Sequence, residues 1–168
     1  MIKKIIWQIL LGSILMHTHL DALPQSERCL SRFPSEKEIH CLEARLIRLV
    51  NQERGKRGLK ALCSSTAICA VATRHSKNMA ASRVSFGHGG FEKRAQPFMK
   101  GGGHIAFGEN VAFCDLMQDP LKTAVDLWMH SLEHRKNILG DYNETGIGIA
   151  YNHAGRCFMT QLFAKRQR

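Results

Sequence analysis

The sequence predicts a single α+β domain, in which helices and short antiparallel strands form separate layers. Apolar residues recur at helical spacing in three segments, whereas the C-terminal part alternates apolar and polar residues with a period of two. The two kinds of segment lack the regular strand–helix–strand alternation of a parallel sheet. A length of 168 residues suits one domain with its own hydrophobic core.

Residues 1–22 are predicted to be a secretory signal peptide. Lys3 and Lys4 precede an apolar run over residues 5–16, and cleavage is expected after Ala22. Residues 23–35 would then form an N-terminal tail, and residues 36–168 the domain. The apolar run is shorter than the roughly 20 residues that cross a bilayer, and no later stretch approaches that length. We expect a secreted, periplasmic or extracellular protein with no transmembrane segment after signal removal; a retained N-terminal anchor is the alternative.

Cysteine number and net charge suit an exported protein. An even count of cysteines predicts disulfides, with the pairing left open, at positions 29, 41, 63, 69, 114 and 157. A bridge from Cys29 to Cys41 would tie the tail to the first helix. The net charge is +10, and Lys and Arg are scattered without interleaved aromatic residues. This favours an anionic envelope or host surface over nucleic acid as a partner, although solubility alone also accounts for the charge.

The first helix is predicted to begin after Ser35 and to end near Gly55. Ser35 and Glu38 form a Ser-x-x-Glu capping box. One face of this helix is apolar, with Ile39, Leu42, Leu46, Leu49 and Val50.

A second helix is predicted over residues 66–81. Its apolar face comprises Ile68, Val71, Ala72 and Met79. His75 falls within that face, and a histidine in such a place is more often a hydrogen-bonded core residue than a ligand. We therefore leave His75 out of the candidate site.

A third helix is predicted to begin with Asp119 as its N-cap and Pro120 at its first helical position. Its apolar face is predicted to hold Leu121, Ala124, Val125, Trp128 and Leu132. At 100° per residue, Ser131 lies at the edge of this face and His134 one step further round, towards a neighbouring cleft.

The C-terminal segment is predicted to form an antiparallel hairpin. Its strands cover residues 145–152 and 156–164 around a turn at 153–155, with Ile147, Ile149 and Tyr151 on one face. A further short strand is expected at residues 110–114.

Four motifs occur in a fixed order along the chain. They are Ser-Phe-Gly-His ending at His88, Gly-Glu-Asn-Val-Ala at 108–112, Trp-x-x-Ser-x-x-His-Arg-x-Asn-Ile-Leu at 128–139, and Gly-Ile-Gly-Ile-Ala before Gln161-Leu162-Phe163. Over residues 40–165 this order resembles the CAP superfamily of cysteine-rich secretory, antigen 5 and pathogenesis-related proteins. The chain is most similar to the compact bacterial branch with an SCP-like extracellular domain.

The resemblance implies a three-layer α-β-α sandwich with a small antiparallel central sheet and a cleft lined by two histidines and two acids. The histidines correspond to His88 and His134, and the first acid to Glu109. The second acid stands three residues after the tryptophan in longer members, and Ser131 holds that place here. The acidic role is not carried over to the nearby Glu133.

Two neutral imidazoles, His88 and His134, are good ligands for zinc or another divalent metal. The resemblance implies an extracellular binding module for a lipid, sterol, glycan, or host or envelope protein. The alternative is a metal-dependent hydrolase such as a peptidase, which would use the cleft or the His-x-x-Glu-His pattern of His130, Glu133 and His134. The missing second acid favours binding, and no catalytic residue is assigned.

Overall fold

The computed structural model describes residues 33–101, 103–115 and 119–167. The predicted signal peptide and most of the predicted tail, with Cys29, lie outside these ranges. A compact unit begins at Ser35. Its elements, in chain order, are α1 (Glu36–Gly55), β1 (Cys63–Ser64), α2 (Thr66–Ala80), α3 (Phe91–Gly101), β2 (His104–Cys114), α4 (Pro120–His130), α5 (Leu132–Leu139), β3 (Glu144–Tyr151) and β4 (Cys157–Arg166).

The four strands form one sheet in the order β1-β3-β4-β2. The predicted hairpin is confirmed as β3 and β4, and β2 pairs antiparallel with the other side of β4. The predicted strand at 110–114 is the end of a longer strand that begins at His104. A two-residue parallel strand, β1, is added at the edge, where Cys63 pairs with Glu144.

Helices cover both faces of this sheet, which confirms the α-β-α sandwich. On one face, α1 packs on β3, and α4 and α5 pack on β2. These elements share a hydrophobic cluster that includes Leu46, Val50, Leu121, Trp128, Ile138, Ile147, Ile149 and Phe163. On the other face, α2 packs through Ile68 and Ala72 against Leu162 and Ala164 of β4. The predicted alternation in β3 thus separates the two layers, because alternate side chains of a strand point to opposite faces.

Two glycines let α2 lie directly on β3. A Cβ atom built on Gly146 would collide with the backbone at Ile68 and Cys69, and one built on Gly148 would collide with the backbone at Ala72 and Thr73. The motif Gly-Ile-Gly-Ile therefore presents isoleucines to one layer and bare backbone to the other. The close contact between α2 and β3 explains why glycine and isoleucine alternate in this motif.

The first residues of α1 and α4 agree with the N-termini that the sequence predicts. The Ser35 backbone N–H donates to Glu38 Oε2 at 2.7 Å, and Ser35 Oγ accepts from the Glu38 N–H at 3.4 Å. At α4, Asp119 accepts a hydrogen bond from the Lys122 N–H at 3.1 Å. The local capping rules are therefore sufficient to place both N-termini.

The predicted apolar face of the third helix was wrong at Leu132. The helix ends at His130, Ser131 adopts an extended conformation with φ −83° and ψ 125°, and a separate helix, α5, begins at Leu132. Because the helical period stops at Ser131, the angular argument cannot be continued past it. Leu132 is 56% exposed instead of buried.

Two further predictions concern the membrane and the cysteines. Within the described ranges, no helix combines the length and the apolar character that crossing a bilayer requires. The cysteines that the structure describes are thiols: exposed Cys41 and Cys63, half-buried Cys69, and buried Cys114 and Cys157. The predicted Cys29–Cys41 bridge involves a residue outside the described ranges, so it stays a prediction.

Candidate functional site

Three separate elements bring the predicted cleft residues together. His88 lies in the loop between α2 and α3, Glu109 lies in β2, and His134 lies in the first turn of α5. His88 Nδ1 is 3.0 Å from Glu109 Oε1, and the ring centroids of His88 and His134 are 5.9 Å apart. Residues up to 46 positions apart in the sequence thus form one cluster.

Glu109 is the buried centre of this cluster, with only 2% of its side chain exposed. Arg94 neutralises it from α3: Nε donates to Oε2 at 2.9 Å, and Nη2 donates to Oε1 at 2.8 Å. A buried carboxylate needs such a partner, because removing an unpaired charge from water costs several kcal/mol. A planar guanidinium that donates to both oxygens is the strongest form of this pairing.

Arg94 is a site residue that the sequence analysis missed, together with α3. The same guanidinium donates from Nη1 to the Gly89 carbonyl oxygen at 2.7 Å, so it also ties down the loop that carries His88. Pro97 inside α3 obscures the helical pattern. The spacing of Phe91, Ala95 and Phe98 was the available signal for a helix here.

His134 faces His88 across the cleft. Burial lowers the pKa of His134 below its usual value of 6.5, and electrostatic repulsion between His134 and the neighbouring His88 lowers it further. His134 is therefore neutral near pH 7, the form in which an imidazole binds a metal. Among the described residues, neither ring nitrogen of His134 has a hydrogen-bond partner, so the ring can take an outside ligand.

The neighbours of Glu109 in the Gly-Glu-Asn motif position α5. Asn110 is fully buried and donates from Nδ2 to the backbone carbonyl oxygen of His134 at 3.0 Å. Asn137 of α5 donates to Asn110 Oδ1 at 2.9 Å and to the Glu109 carbonyl oxygen at 3.1 Å. A side chain on Gly108 would come within 2.8 Å of Asn137 Oδ1. Each residue of the motif thus has a separate physical role.

The remaining predicted site residues lie at the helix junction. Ser131 caps α4 with its backbone and precedes α5, and its side chain makes no capping hydrogen bond. Glu133 is 75% exposed at its side chain and pairs with Lys136. His130 is exposed and bonds to the Asp126 carbonyl oxygen. Since the chain is extended at Ser131, His130 and His134 do not lie on one continuous helix, and the geometric basis of the His-x-x-Glu-His hypothesis is lost.

His75 is a buried, hydrogen-bonded residue, as its place on the apolar face of α2 predicts. It is 3% exposed, and its Nε2 is 2.9 Å from the carbonyl oxygen of Gly87. Burial lowers the pKa of His75, so the ring is neutral near pH 7. Although His75 is not in the cleft, it holds the backbone next to His88.

An exposed aromatic surface adjoins the cleft. Glu109 and Phe113 lie on the same face of β2, and Phe86 is two residues before His88. Phe86 is 46% exposed and Phe113 39% exposed, with ring centroids 4.9 Å apart. The guanidinium of Arg156 lies 4.7 Å from the centre of the Phe113 ring. The cleft therefore opens beside apolar rings and a cation.

Comparison with known proteins supplies a family and a fold. Residues 47–163 match the CAP family, described as the cysteine-rich secretory protein family, and this range contains His88, Glu109 and His134. The uncharacterized protein YkwD of Bacillus subtilis is 31% identical over 144 residues, which cover 83% of this chain and 54% of YkwD. The chain thus spans about half the length of that relative.

Solved structures share the fold at low sequence identity. An extracellular protein of Bacillus anthracis that contains an SCP domain is 24% identical with a TM-score of 0.64, over 80% of this chain and 45% of that protein. An outer surface protein of Borrelia burgdorferi is 16% identical with a TM-score of 0.61, over 80% of this chain and 97% of that protein.

Proposed function

The chain belongs to the CAP family of cysteine-rich secretory proteins, and on that premise we propose that it is an extracellular binding module whose cleft coordinates a divalent metal ion through His88 and His134. The facing pair of imidazoles carries this proposal. Two imidazoles that bind one zinc ion tetrahedrally, through ring nitrogens at about 2.1 Å, have ring centroids about 5.3 Å apart. The 5.9 Å between the rings of His88 and His134 is close to that separation.

The surroundings of the two rings fit a metal ligand set. Glu109 engages Nδ1 of His88, which leaves Nε2 on the half-exposed side of the ring. A carboxylate behind a histidine is the usual second partner of a metal ligand, because it fixes the ring and raises its basicity. His134 is kept neutral by burial, which lowers its pKa.

In the described part of the chain, no three side chains of His, Cys, Asp or Glu lie close enough together to hold a metal ion. A metal ion on His88 and His134 would therefore keep open coordination positions. Two imidazoles leave metal positions for an outside ligand. The metal would supply a positive centre that attracts an anionic or carbonyl oxygen of a bound molecule. The aromatic surface of Phe86 and Phe113 would contact apolar parts of the same molecule, in keeping with a lipid, sterol, glycan or protein partner.

Binding is favoured over hydrolysis by the state of Glu109. A general base needs a free oxygen within reach of water or substrate. Both oxygens of Glu109 accept from Arg94, and one also engages His88. The second acid is replaced by Ser131, so the described cleft offers no other carboxylate for that role.

The test is zinc binding by the full chain at neutral pH, measured by competition with a chromophoric chelator and by elemental analysis. We expect stoichiometric zinc, with affinity at least about tenfold weaker in His88→Ala and in His134→Ala. His130→Ala is the matched control, because this exposed histidine lies only four residues from His134 and outside the cleft. Equal zinc binding by the double variant would exclude the site.

A hydrolase would be revealed by a different measurement. Release of product from a peptide library by wild type, lost in His88→Ala and in His134→Ala, would replace binding by catalysis as the function of the cleft.

A further inference from the structure

We infer that Cys114 and Cys157 form a disulfide when the chain folds in an oxidising environment. The two residues are direct partners in the antiparallel pair of β2 and β4. Residues directly opposite in such a pair have Cα atoms about 4.5 or 5.5 Å apart and side chains on the same face. A disulfide requires a Cα separation of about 4.4 to 6.8 Å, so the register alone meets its main condition.

Burial sets this pair apart from the other cysteines that the structure describes. Cys114 is 3% exposed and Cys157 is 1% exposed, and both lie in the core between the sheet and α4. Cys41 and Cys63 are exposed, and the strand registers place neither opposite another cysteine. A bond between the two buried residues would replace two thiols by a compact apolar link within the same core.

The bond must form before the two strands have closed. In the folded thiol form, Cys114 Sγ donates to the Pro120 carbonyl oxygen at 3.6 Å. Burial raises the pKa of Cys114, and raises that of Cys157 to about 11. The reactive thiolate is thus scarce in the folded protein, and oxidants cannot reach the sulfur atoms. Oxidation during folding is the accessible route.

The reaction needs a disulfide as the oxidant, for which oxidised glutathione is a suitable representative. One cysteine thiolate attacks the oxidant's sulfur, which forms a mixed disulfide and releases one thiol. The second cysteine then attacks the protein sulfur of the mixed disulfide, and the second thiol leaves. The cysteines lose two electrons and two protons, which the two released thiols carry away.

The bond would close a loop that contains half of the cleft. Residues 114–157 include α4, α5 and β3, and therefore His134. Closing this loop restricts the unfolded chain and so stabilises the folded one. The inference is independent of metal binding, since neither cysteine belongs to the cleft.

The test is peptide mapping of the full chain after refolding with reduced and oxidised glutathione. Free thiols are blocked in denaturant, and the protein is digested with trypsin without reduction. Trypsin separates the two cysteines into the fragments 101–122 and 157–165, each with a single cysteine. We expect these fragments as one linked species that separates on reduction. Recovery of both with blocked thiols, or linkage of either to another cysteine, would overturn the inference.

A thermal measurement gives a second readout. The oxidised wild type is unfolded in denaturant with dithiothreitol and refolded with the reductant present, because the buried bond is shielded in the folded protein. This treatment should lower the Tm by about 5 to 10 °C. Cys114→Ala/Cys157→Ala should show no such loss, whereas Cys41→Ala/Cys63→Ala, the matched pair of exposed cysteines, should retain it. A wild-type Tm that does not respond to the reductant contradicts the inference. Should the core variant fail to fold, the wild-type peptide map decides alone.

Discussion

His75 of α2 and Gly87 of the cleft loop are joined by a hydrogen bond of 2.9 Å, in which the imidazole Nε2–H donates to the backbone carbonyl oxygen. His75 is 3% exposed, so this bond is shielded from water. A core residue thereby positions the backbone next to His88. The geometry of the cleft depends on packing beneath it as well as on the residues that line it.

Replacement of His75 should weaken the cleft without altering any residue that lines it. In His75→Leu the Gly87 carbonyl oxygen loses its partner, which should cost about 1–3 kcal/mol of unfolding free energy. Zinc affinity should fall several-fold because His88 is less well positioned. Urea unfolding and zinc competition measure the two effects. His153→Leu, in the exposed hairpin turn, should change neither, and unchanged zinc affinity in a folded His75→Leu protein would exclude the positioning role.

Loss of Arg94 should destabilise the fold strongly. Arg94→Ala leaves the carboxylate of Glu109 buried without its cation, for which we expect about 3–5 kcal/mol by urea denaturation. Adding Glu109→Gln should recover part of this loss, because the remaining group is neutral. The four proteins form a double-mutant cycle. If the changes in unfolding free energy of the two single variants simply add up in the double variant, Arg94 and Glu109 do not interact as the structure indicates.

The titration of His134 should depend on His88. The pKa of His134 is lowered first by burial and second by the charge of His88. His88→Ala should therefore raise the pKa of His134, while burial keeps it below 6.5. The NMR shift of the ring C–H protons against pH measures this directly. His153→Ala serves as control, and a His134 midpoint that is the same in His88→Ala and wild type contradicts the expectation.

Stability should fall as the solution becomes acidic. Burial lowers the pKa of His75 in the folded state, so between that pKa and the unfolded value of 6.5 the unfolded chain binds more protons. The unfolding free energy then rises with pH, and this contribution is complete above pH 6.5 and lost below the folded-state pKa. Denaturant midpoints at several pH values should show a smaller decline in His75→Leu than in wild type. An equal decline in both would assign the effect to other groups.

A methyl group on Gly148 should disrupt the contact between α2 and β3. The new Cβ would meet the backbone at Ala72 and Thr73, which cannot move independently of its helix. We expect Gly148→Ala to cost about 3 kcal/mol or more, or to prevent folding. Gly55→Ala is the control, since nothing lies within 4 Å of its Cβ position. Thermal unfolding compares the two, and similar Tm values would contradict the close packing.

Local patterns in the sequence were sufficient to predict α1, α2, the start of α4 and the hairpin. A capping box, an apolar helix face and a two-residue alternation each depend on residues that are close together in the sequence. They therefore predict local structure without knowledge of the rest of the fold. The family resemblance carried by the order of motifs also implied that His88, Glu109 and His134 line one cleft. These motifs carry positional information because each serves a packing or hydrogen-bonding need of the fold, as Gly108 and Asn110 illustrate.

The tertiary structure alone decided the partners of these residues. Arg94 neutralises Glu109 across 15 positions, and Cys114 meets Cys157 across 43, through strand registers and helix placement that no short window contains. The hydrogen bond from Asn110 to the carbonyl oxygen of His134 likewise joins two elements that are separated in the sequence. The sequence by itself predicted His88, Glu109 and His134 as cleft residues, whereas contacts between distant segments determined how each is held. The physical reason is that the energy of a buried polar group depends on neighbours that only the complete fold supplies.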